Sequence, residues 1–459
     1  MASPRAPLLT RPLFDFIARV GQPLPALAGA PGVISTATFL QHVWSLAEQL
    51  PDGRHALNLC ENRYHFLVGF CAVIVKRQCN LLAQNRGVAT QTLLAEKYPQ
   101  TYVLHDGLSA STALPAYDIR GCRQLSHADS CIPDIELDHL AAITFTSGST
   151  GEPQANCKYW RTFVASTEIN AAYMVPATES HYDVLATVPG QHMWGLETSI
   201  LLPLISGLCI DDGKPLFPQD IQARLAKMRA PRMLISTPVH LRALCLSGLS
   251  FPPVAQILCA TAPLSQELAG AAETLFQGQL CEIFGCSEVG SMACRHTADT
   301  EIWRLFAGLT MQPHPSEPDK IQISAAHLPV PVALQDRVEI CGENIFRVLG
   351  RGSDMVEIAG KRGSLLEMNQ LLQAHPDVID AVVFSPEEKS PVPRLAALVV
   401  LTRPEAKTEL SKYLQTRVDP VFVPRPILVV DALPREDNGK LPRQKLLQFY
   451  QTLKTKTPP

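Results

Sequence analysis

The chain of 459 residues lacks several features that would assign it to a class at once. It contains no Cys-x-x-Cys pair, and its 13 cysteines, an odd number, keep no spacing with histidine that a zinc site would need. Neither a zinc module nor a secreted disulfide framework is indicated, so a reducing cytoplasm is the expected compartment. Charge of one sign is not in surplus either. A formal net charge of -3 gives no basic excess for non-specific binding to nucleic acid, and no nucleic-acid partner is expected. Long hydrophobic runs are missing: Phe66 to Val75 is far shorter than the roughly 20 residues that cross a bilayer, and it reads as a buried helix. Pro4, Pro7 and Pro12 interrupt the first apolar stretch, so no secretory h-region forms and no membrane partner is expected. Internal repeats and low-complexity tracts are absent.

What is present is an ordinary globular balance, 46% hydrophobic and 18% charged, in a chain longer than one hydrophobic core usually serves. Helical patterns at Thr38 to Leu50 and Ala89 to Lys97 alternate with short apolar strands such as Tyr102 to His105. The alternation continues through strands at Asp183 to Val188, Met233 to Ser236 and Gln256 to Cys259. Asp336 to Ile340 and Ile345 to Leu349 read as a strand pair around Gly342 and Asn344. Beyond Gly350 a compact succession follows: helix Leu365 to Ala374, strands Val378 to Phe384 and Leu395 to Leu401, helix Glu405 to Arg417, strand Ile427 to Val430, and a helix from Pro442. The expected fold is α/β, with a large multi-layered N-terminal domain of β-sheets flanked by helices over residues 1–350. A small α+β C-terminal domain is expected over 351–459.

Within this frame the first chemical signal is Thr146-Ser147-Gly148-Ser149-Thr150-Gly151, after the apolar strand Ala141 to Phe145. Glycines let backbone N–H groups approach an anion closely, and the hydroxyls add donors without bulk, a combination that suits phosphate. The Walker A and dinucleotide-binding spacings are both absent. Alone, such a loop is more often an ordinary polar turn.

Further segments follow it in order: Pro189-Gly190-Gln191-His192-Met193-Trp194-Gly195, Ala260-Thr261-Ala262-Pro263-Leu264, Phe284-Gly285-Cys286-Ser287-Glu288, and Asp336 with Arg351. Gly350-Arg351-Gly352-Ser353-Asp354, Gly360-Lys361-Arg362 and Leu433-Pro434-Arg435-Glu436-Asp437-Asn438-Gly439-Lys440 complete the series. Together with the loop they resemble the adenylate-forming superfamily of acyl-CoA synthetases, aryl and acyl acid ligases and peptide-synthetase adenylation domains. The resemblance spans most of the chain. Its departures are Gln154 where the loop usually carries lysine, with Lys158 the cation expected to stand in, Ala260 and Thr261 in place of two glycines, and Ser353 in place of the hinge aspartate.

The resemblance implies ATP and Mg²⁺ as cofactors and a mobile C-terminal domain. The loop Thr146 to Gly151 would hold the β- and γ-phosphates, Thr261 and Phe284 the adenine, Ser287 the α-phosphate, and Asp336 with Arg351 the ribose. Glu288 would bind the metal, and His192, Trp194 and Gly290, Ser291 and Met292 would line the acid pocket. Rotation at Ser353 or Asp354 would exchange Lys440, the catalytic cation of the first step, for the loop with Arg362 in the second. The implied partners are a small carboxylic acid and an acyl carrier protein or CoA. General likeness to ligases of aryl-polyene and xanthomonadin-type pigment clusters implies a hydroxybenzoate-like acid. A medium-chain fatty acyl-CoA ligase is the alternative, as is a catalytically weakened scaffold that binds nucleotide or carrier protein.

Overall fold

The structure is a computed structural model and describes residues 3–21, 32–83, 86–107, 112, 114–121, 130–147, 153–177, 181–317, 320–351, 354–358, 361–386, 394–436 and 439–456. The expected α/β class holds. One sheet has six strands and another eleven. In the six-stranded sheet Leu140–Ser147 lies parallel to Cys79–Leu82, which continues in parallel through His55–Asn58 and Thr101–His105. Its outer neighbour is Pro153–Tyr159, which returns antiparallel beside Leu140–Ser147. The sequence pattern did not show this returning strand.

The eleven-stranded sheet contains a parallel run in the order Gln279–Cys286, Gln256–Cys259, Arg232–Ser236, Tyr182–Ala186, Leu208–Asp211 and Phe16–Arg19. Chain order reverses at Tyr182–Ala186: the next strand, Leu208–Asp211, lies on one side, and the chain then crosses to Arg232–Ser236 on the other. In open parallel sheets such a reversal opens a crevice outside the carboxyl ends of the strands, where ligands bind. Every parallel strand points its carboxyl end the same way. The segments that follow Tyr182–Ala186, Arg232–Ser236, Gln256–Cys259 and Gln279–Cys286 are thereby brought to one edge.

Between the two sheets runs the helix Arg63–Val75, apolar around its whole circumference and buried from Arg63 to Ile74. An all-apolar helix belongs inside a core. Its first turn starts on Asn62, whose side chain accepts a hydrogen bond from the His65 N–H at 3.1 Å. The first turn is the exception: His65 Nδ1 lies 3.1 Å from the Asp106 carboxylate, and the longest reach is that of Arg63. Its guanidinium is 3% exposed and donates to the carbonyls of Ala186 and Val188, each at 2.8 Å, and to the Ser199 hydroxyl. Burial pushes it down to about 10, still charged at neutral pH. Those carbonyls lie directly before Pro189, so Arg63 fixes the departure of the histidine segment from its strand.

The eleven-stranded sheet ends with the antiparallel pair Asp336–Gly342 and Ile345–Arg351, and later strands form separate sheets. A two-stranded hairpin joins Met355–Ile358 to Lys361–Ser364. Ser364 then caps the helix Leu365–Gln373 through the Glu367 N–H. That helix packs with Ala406–Gln415 on the three-stranded sheet Val378–Phe384, Ala396–Leu401 and Ile427–Val429. The helix Arg443–Lys456 covers its other face through Leu446 and Tyr450.

Replacing Arg63 with methionine keeps most of the volume but leaves two buried carbonyls without a donor. The expected cost is about 3 kcal/mol of folding stability, read as a lower urea midpoint with an unchanged slope.

Candidate active site

Three sequence-derived positions, His192, Thr261 and Glu288, follow strands of the parallel run and so lie at the edge that the sheet polarity defines. After Tyr182–Ala186 the chain reaches Pro189 and then His192, which is half-buried and occupies the N-cap position of the short helix Met193–Leu196. A side chain at position 195 would place its Cβ 2.0 Å from the Pro189 carbonyl oxygen. Only glycine permits that turn. Trp194 is buried and donates its indole N–H to the Ser236 carbonyl at 3.1 Å, tying this helix to the end of the neighbouring strand.

After Gln256–Cys259 comes Thr261, at a φ of +88°. For a β-branched residue that is a strained conformation, and its Oγ1 is buried without a hydrogen-bond partner. Of the two substitutions for glycine noted in the sequence, Thr261 therefore falls where the backbone itself would favour glycine. After Gln279–Cys286 come Ser287 and Glu288, both half-buried. Phe284 lies on this strand with its ring 5.4 Å from that of Trp303 and 5.8 Å from that of Phe346. Asp336 and Arg351 face each other directly across an antiparallel pair, although fifteen positions apart in sequence. The side chain of Arg351 is outside the described residues, as are those of Thr146, Ser147 and Arg362. Gly148, Ser149, Thr150, Gly151 and Ser353 lie outside them altogether. Asp354 is described and half-buried. Gly290 and Ser291 line the next strand, and Met292 is fully buried in the main core.

One expectation is corrected. Lys158 does not replace the missing loop lysine as a phosphate ligand: it is 3% exposed and donates from Nζ to the Glu288 carbonyl at 2.8 Å. Burial holds its amine below the usual lysine range. On the strand Pro153–Tyr159 an even offset from Gln154 to Lys158 keeps both on one face, but the lysine lies inside the sheet region rather than at the hairpin tip. It braces the backbone of the candidate metal ligand.

The small domain reaches this edge. Gly439 has a φ of +80°, and a Cβ there would meet Thr237 Oγ1 at 3.2 Å. Lys440, the next residue, is thus carried to the carboxyl end of Arg232–Ser236. Arg435 shapes the turn: it binds both Asp380 oxygens at 2.7 Å and donates to the Gly439 carbonyl at 2.9 Å. Across the junction Arg242 donates to the Gln373 carbonyl at 2.9 Å. Lys361 pairs with Asp419 at 2.5 Å within the small domain. Thr237, Arg242, Arg435 and Asp380 were not singled out in the sequence. Ser236-Thr237-Pro238 carries a cap-and-proline signal for a helix start, but nothing in it marks the partner that packs there.

Comparison with known proteins identifies the family. The AMP-binding enzyme profile matches residues 51–320, and that of the AMP-binding enzyme C-terminal domain matches 367–440. A 4-coumarate–CoA ligase of Halorhodospira halophila is 30% identical over 314 residues, 66% of this chain and 75% of the relative. A long-chain-fatty-acid–CoA ligase of Bacillus subtilis is 26% identical over 368 residues, 69% of this chain and 63% of the relative. In fold, the o-succinylbenzoate CoA synthetase of Bacillus subtilis, solved with ATP and magnesium, superposes with a TM-score of 0.77 at 18% identity, covering 94% of this chain and 96% of that one. The chain belongs to the AMP-binding enzyme family, within the adenylate-forming superfamily, and is an AMP-forming acid–thiol ligase. ATP is the nucleotide of this class.

Two substitutions test the local geometry. Thr261→Gly relieves backbone strain and should raise stability by about 1 kcal/mol, seen as a higher unfolding midpoint. Lys158→Met leaves the Glu288 carbonyl without its donor and should cost about 3 kcal/mol. A phosphate-binding lysine would instead leave the unfolding midpoint unchanged.

Proposed function

We propose that the site joins a small aromatic carboxylic acid, of the hydroxybenzoate type, to AMP and then transfers it to the phosphopantetheine thiol of an acyl carrier protein. The observation that carries this reading is the seating of the Gly439–Lys440 turn against Thr237, at the edge where Thr261, Ser287 and Glu288 emerge. In the first step a carboxylate oxygen of the acid attacks the α-phosphorus of ATP. An acyl–O–P bond forms, the α–β bridging bond breaks, and pyrophosphate leaves. Charge grows on phosphate oxygens as this happens, so donors already fixed in place lower the barrier most. Lys440 supplies one such cation, and the backbone and hydroxyls of Thr146 to Gly151 supply further donors.

Mg²⁺ is a hard ion that keeps several waters and takes one or two carboxylates alongside phosphate oxygens. Glu288 suits that need, being a half-buried carboxylate whose main chain is held by Lys158. When bound there the ion would neutralise phosphate charge. Asp336 accepts the ribose hydroxyls, with Arg351 beside it in register. Phe284 offers a ring face to the adenine, and the unpartnered Thr261 hydroxyl offers it a hydrogen bond. His192 lies beside the acid carboxylate, and Trp194 and the strand Gly290–Arg295 border the acid pocket.

In the second step the thiol attacks the acyl carbon. A C–S bond forms, the acyl–O bond breaks to release AMP, and the thiol proton passes to solvent. The small domain rotates about Ser353 or Asp354 between the steps, withdrawing Lys440 and bringing the segment with Lys361 and Arg362 inward. CoA presents the same pantetheine arm, and the names of the 4-coumarate and long-chain relatives favour it as the second reading for the acceptor.

ATP–pyrophosphate exchange against aromatic and aliphatic acids, followed by loading of CoA or carrier protein, tests the assignment. Faster exchange with decanoate than with hydroxybenzoate overturns the aromatic choice. Lys440→Ala should slow exchange by about 10²–10³-fold while sparing thioester formation from supplied acyl adenylate. Glu288→Gln should shift the Mg²⁺ titration to higher concentration, and an unchanged curve removes its metal role.

A further inference from the structure

The mechanism above gives no task to Glu197, which is 4% exposed and begins the π-helical turn Glu197–Leu201. Single π turns set into helices recur at functional sites. Glu197 follows His192 by five residues, a rise of about 7.5 Å along the helix. A carboxylate held beside His192 would therefore sit one aromatic ring away from it.

The surroundings of Glu197 are polar and enclosed. Its oxygens accept the Ser291 N–H at 3.1 and 3.2 Å and the Ser291 hydroxyl at 2.7 Å. They press on the strand so closely that a Cβ at Gly290 would lie 2.4 Å from Oε1. Lys158 supplies a compensating charge at longer range, and burial still raises the Glu197 carboxyl above its usual range. Asn170, on the helix Trp160–Met174, is 1% exposed and close enough to help hold that carboxyl. Yet neither its Nδ2 nor its Oδ1 is in a well-formed hydrogen bond. Buried amides are almost always paired. Here a donor and an acceptor stand open beside a carboxylate with lone pairs to spare.

We propose that Glu197 and Asn170 form the distal end of the acid pocket and select an acid that carries a hydrogen-bond donor, a phenolic hydroxyl or an aromatic amine, remote from its carboxylate. This rests on the reading that the acid is aromatic and that its carboxylate lies beside His192. The ring substituent donates to Glu197 and completes the pairing of Asn170. An unsubstituted ring or alkyl chain leaves the Asn170 amide buried and unpaired and gives Glu197 no further donor. A second carboxylate at that end meets a like charge. Sites built to bond a substrate hydroxyl reject the analogue lacking it far more strongly than an apolar pocket rejects a missing methylene.

The test measures exchange kcat/KM for hydroxybenzoate, aminobenzoate, benzoate and decanoate with the wild-type chain, Glu197→Gln and Asn170→Ala. Wild type should prefer the hydroxy or amino acid over benzoate by about 10²-fold or more. Asn170→Ala should reduce that preference severalfold, the rate with hydroxybenzoate falling further than the rate with benzoate. Glu197→Gln should reduce it as well, with KM rising for the substituted acids. Equal losses for benzoate and the substituted acids in both variants would assign the pair to bracing Ser291 and overturn the proposal. So would a wild-type enzyme that uses benzoate as well as hydroxybenzoate. A wild-type enzyme that turns over decanoate and no aromatic acid refutes the aromatic reading itself, a result seen without any variant.

Discussion

The polarity of the parallel strands is the constraint on which the rest depends. A strand has one carboxyl end, and where neighbours run parallel those ends share one edge. Histidine, strained threonine and candidate metal ligand then need no long-range design to meet: each leaves a different strand of the same run. The reversal of strand order at Tyr182–Ala186 separates the connections on either side and leaves room for a ligand between them. Arg63 sharpens this point by fixing the two carbonyls just before Pro189 from a helix buried between the sheets.

The small domain meets that edge through contacts of another kind. Arg242 donates to a main-chain carbonyl of the small domain, and Gly439 packs on the Thr237 side chain. Such contacts can be exchanged for water with little loss, unlike a fused apolar core. The cores of the two parts are separate clusters. Within the small domain, by contrast, Arg435 is bound at both Asp380 oxygens and to the Gly439 carbonyl. The lysine turn is rigid inside its own domain and lightly held across the junction. A group that must arrive in a fixed pose and later withdraw is served by that division.

How much of this was legible in the sequence depended on where the information lay. Gln256–Cys259 and Val378–Phe384 occupy the expected spans because short apolar runs between polar segments leave little choice of element. The return strand Pro153–Tyr159 escaped notice, since it opens on proline and mixes polar with apolar residues, and only its pairing partner makes it a strand. The ordered motifs identified which residues to watch, and the sheet then showed why they share an edge. Arg63, Glu197, Asn170 and Arg242 could not be read in the same way. The meaning of each comes from groups 94 to 136 positions away or from burial that sequence does not report. Lys158 shows the converse: proximity in sequence to the missing loop lysine suggested a shared task, and burial assigns it another.

That reassignment bears on the balance of charge at the site. Gln154 offers no cation where the resembling family carries lysine, while Lys158 and Glu197 place opposite charges inside the protein, flanking the segment from Glu288 to Ser291. A buried pair is a weak source of stability, because desolvation offsets most of the attraction. Its effect here is geometric. One member holds the carbonyl of Glu288 and the other holds the amide of Ser291, so the short segment between them is pinned at both ends. The candidate metal ligand and the proposed acid pocket, supported by one rigid segment, would keep a fixed separation. In-line attack on the α-phosphorus requires that separation, since small misplacements of reacting groups are costly to rate. The cation missing at Gln154 is therefore not replaced in kind; the buried Lys158 and Glu197 instead hold the segment that carries the candidate metal ligand.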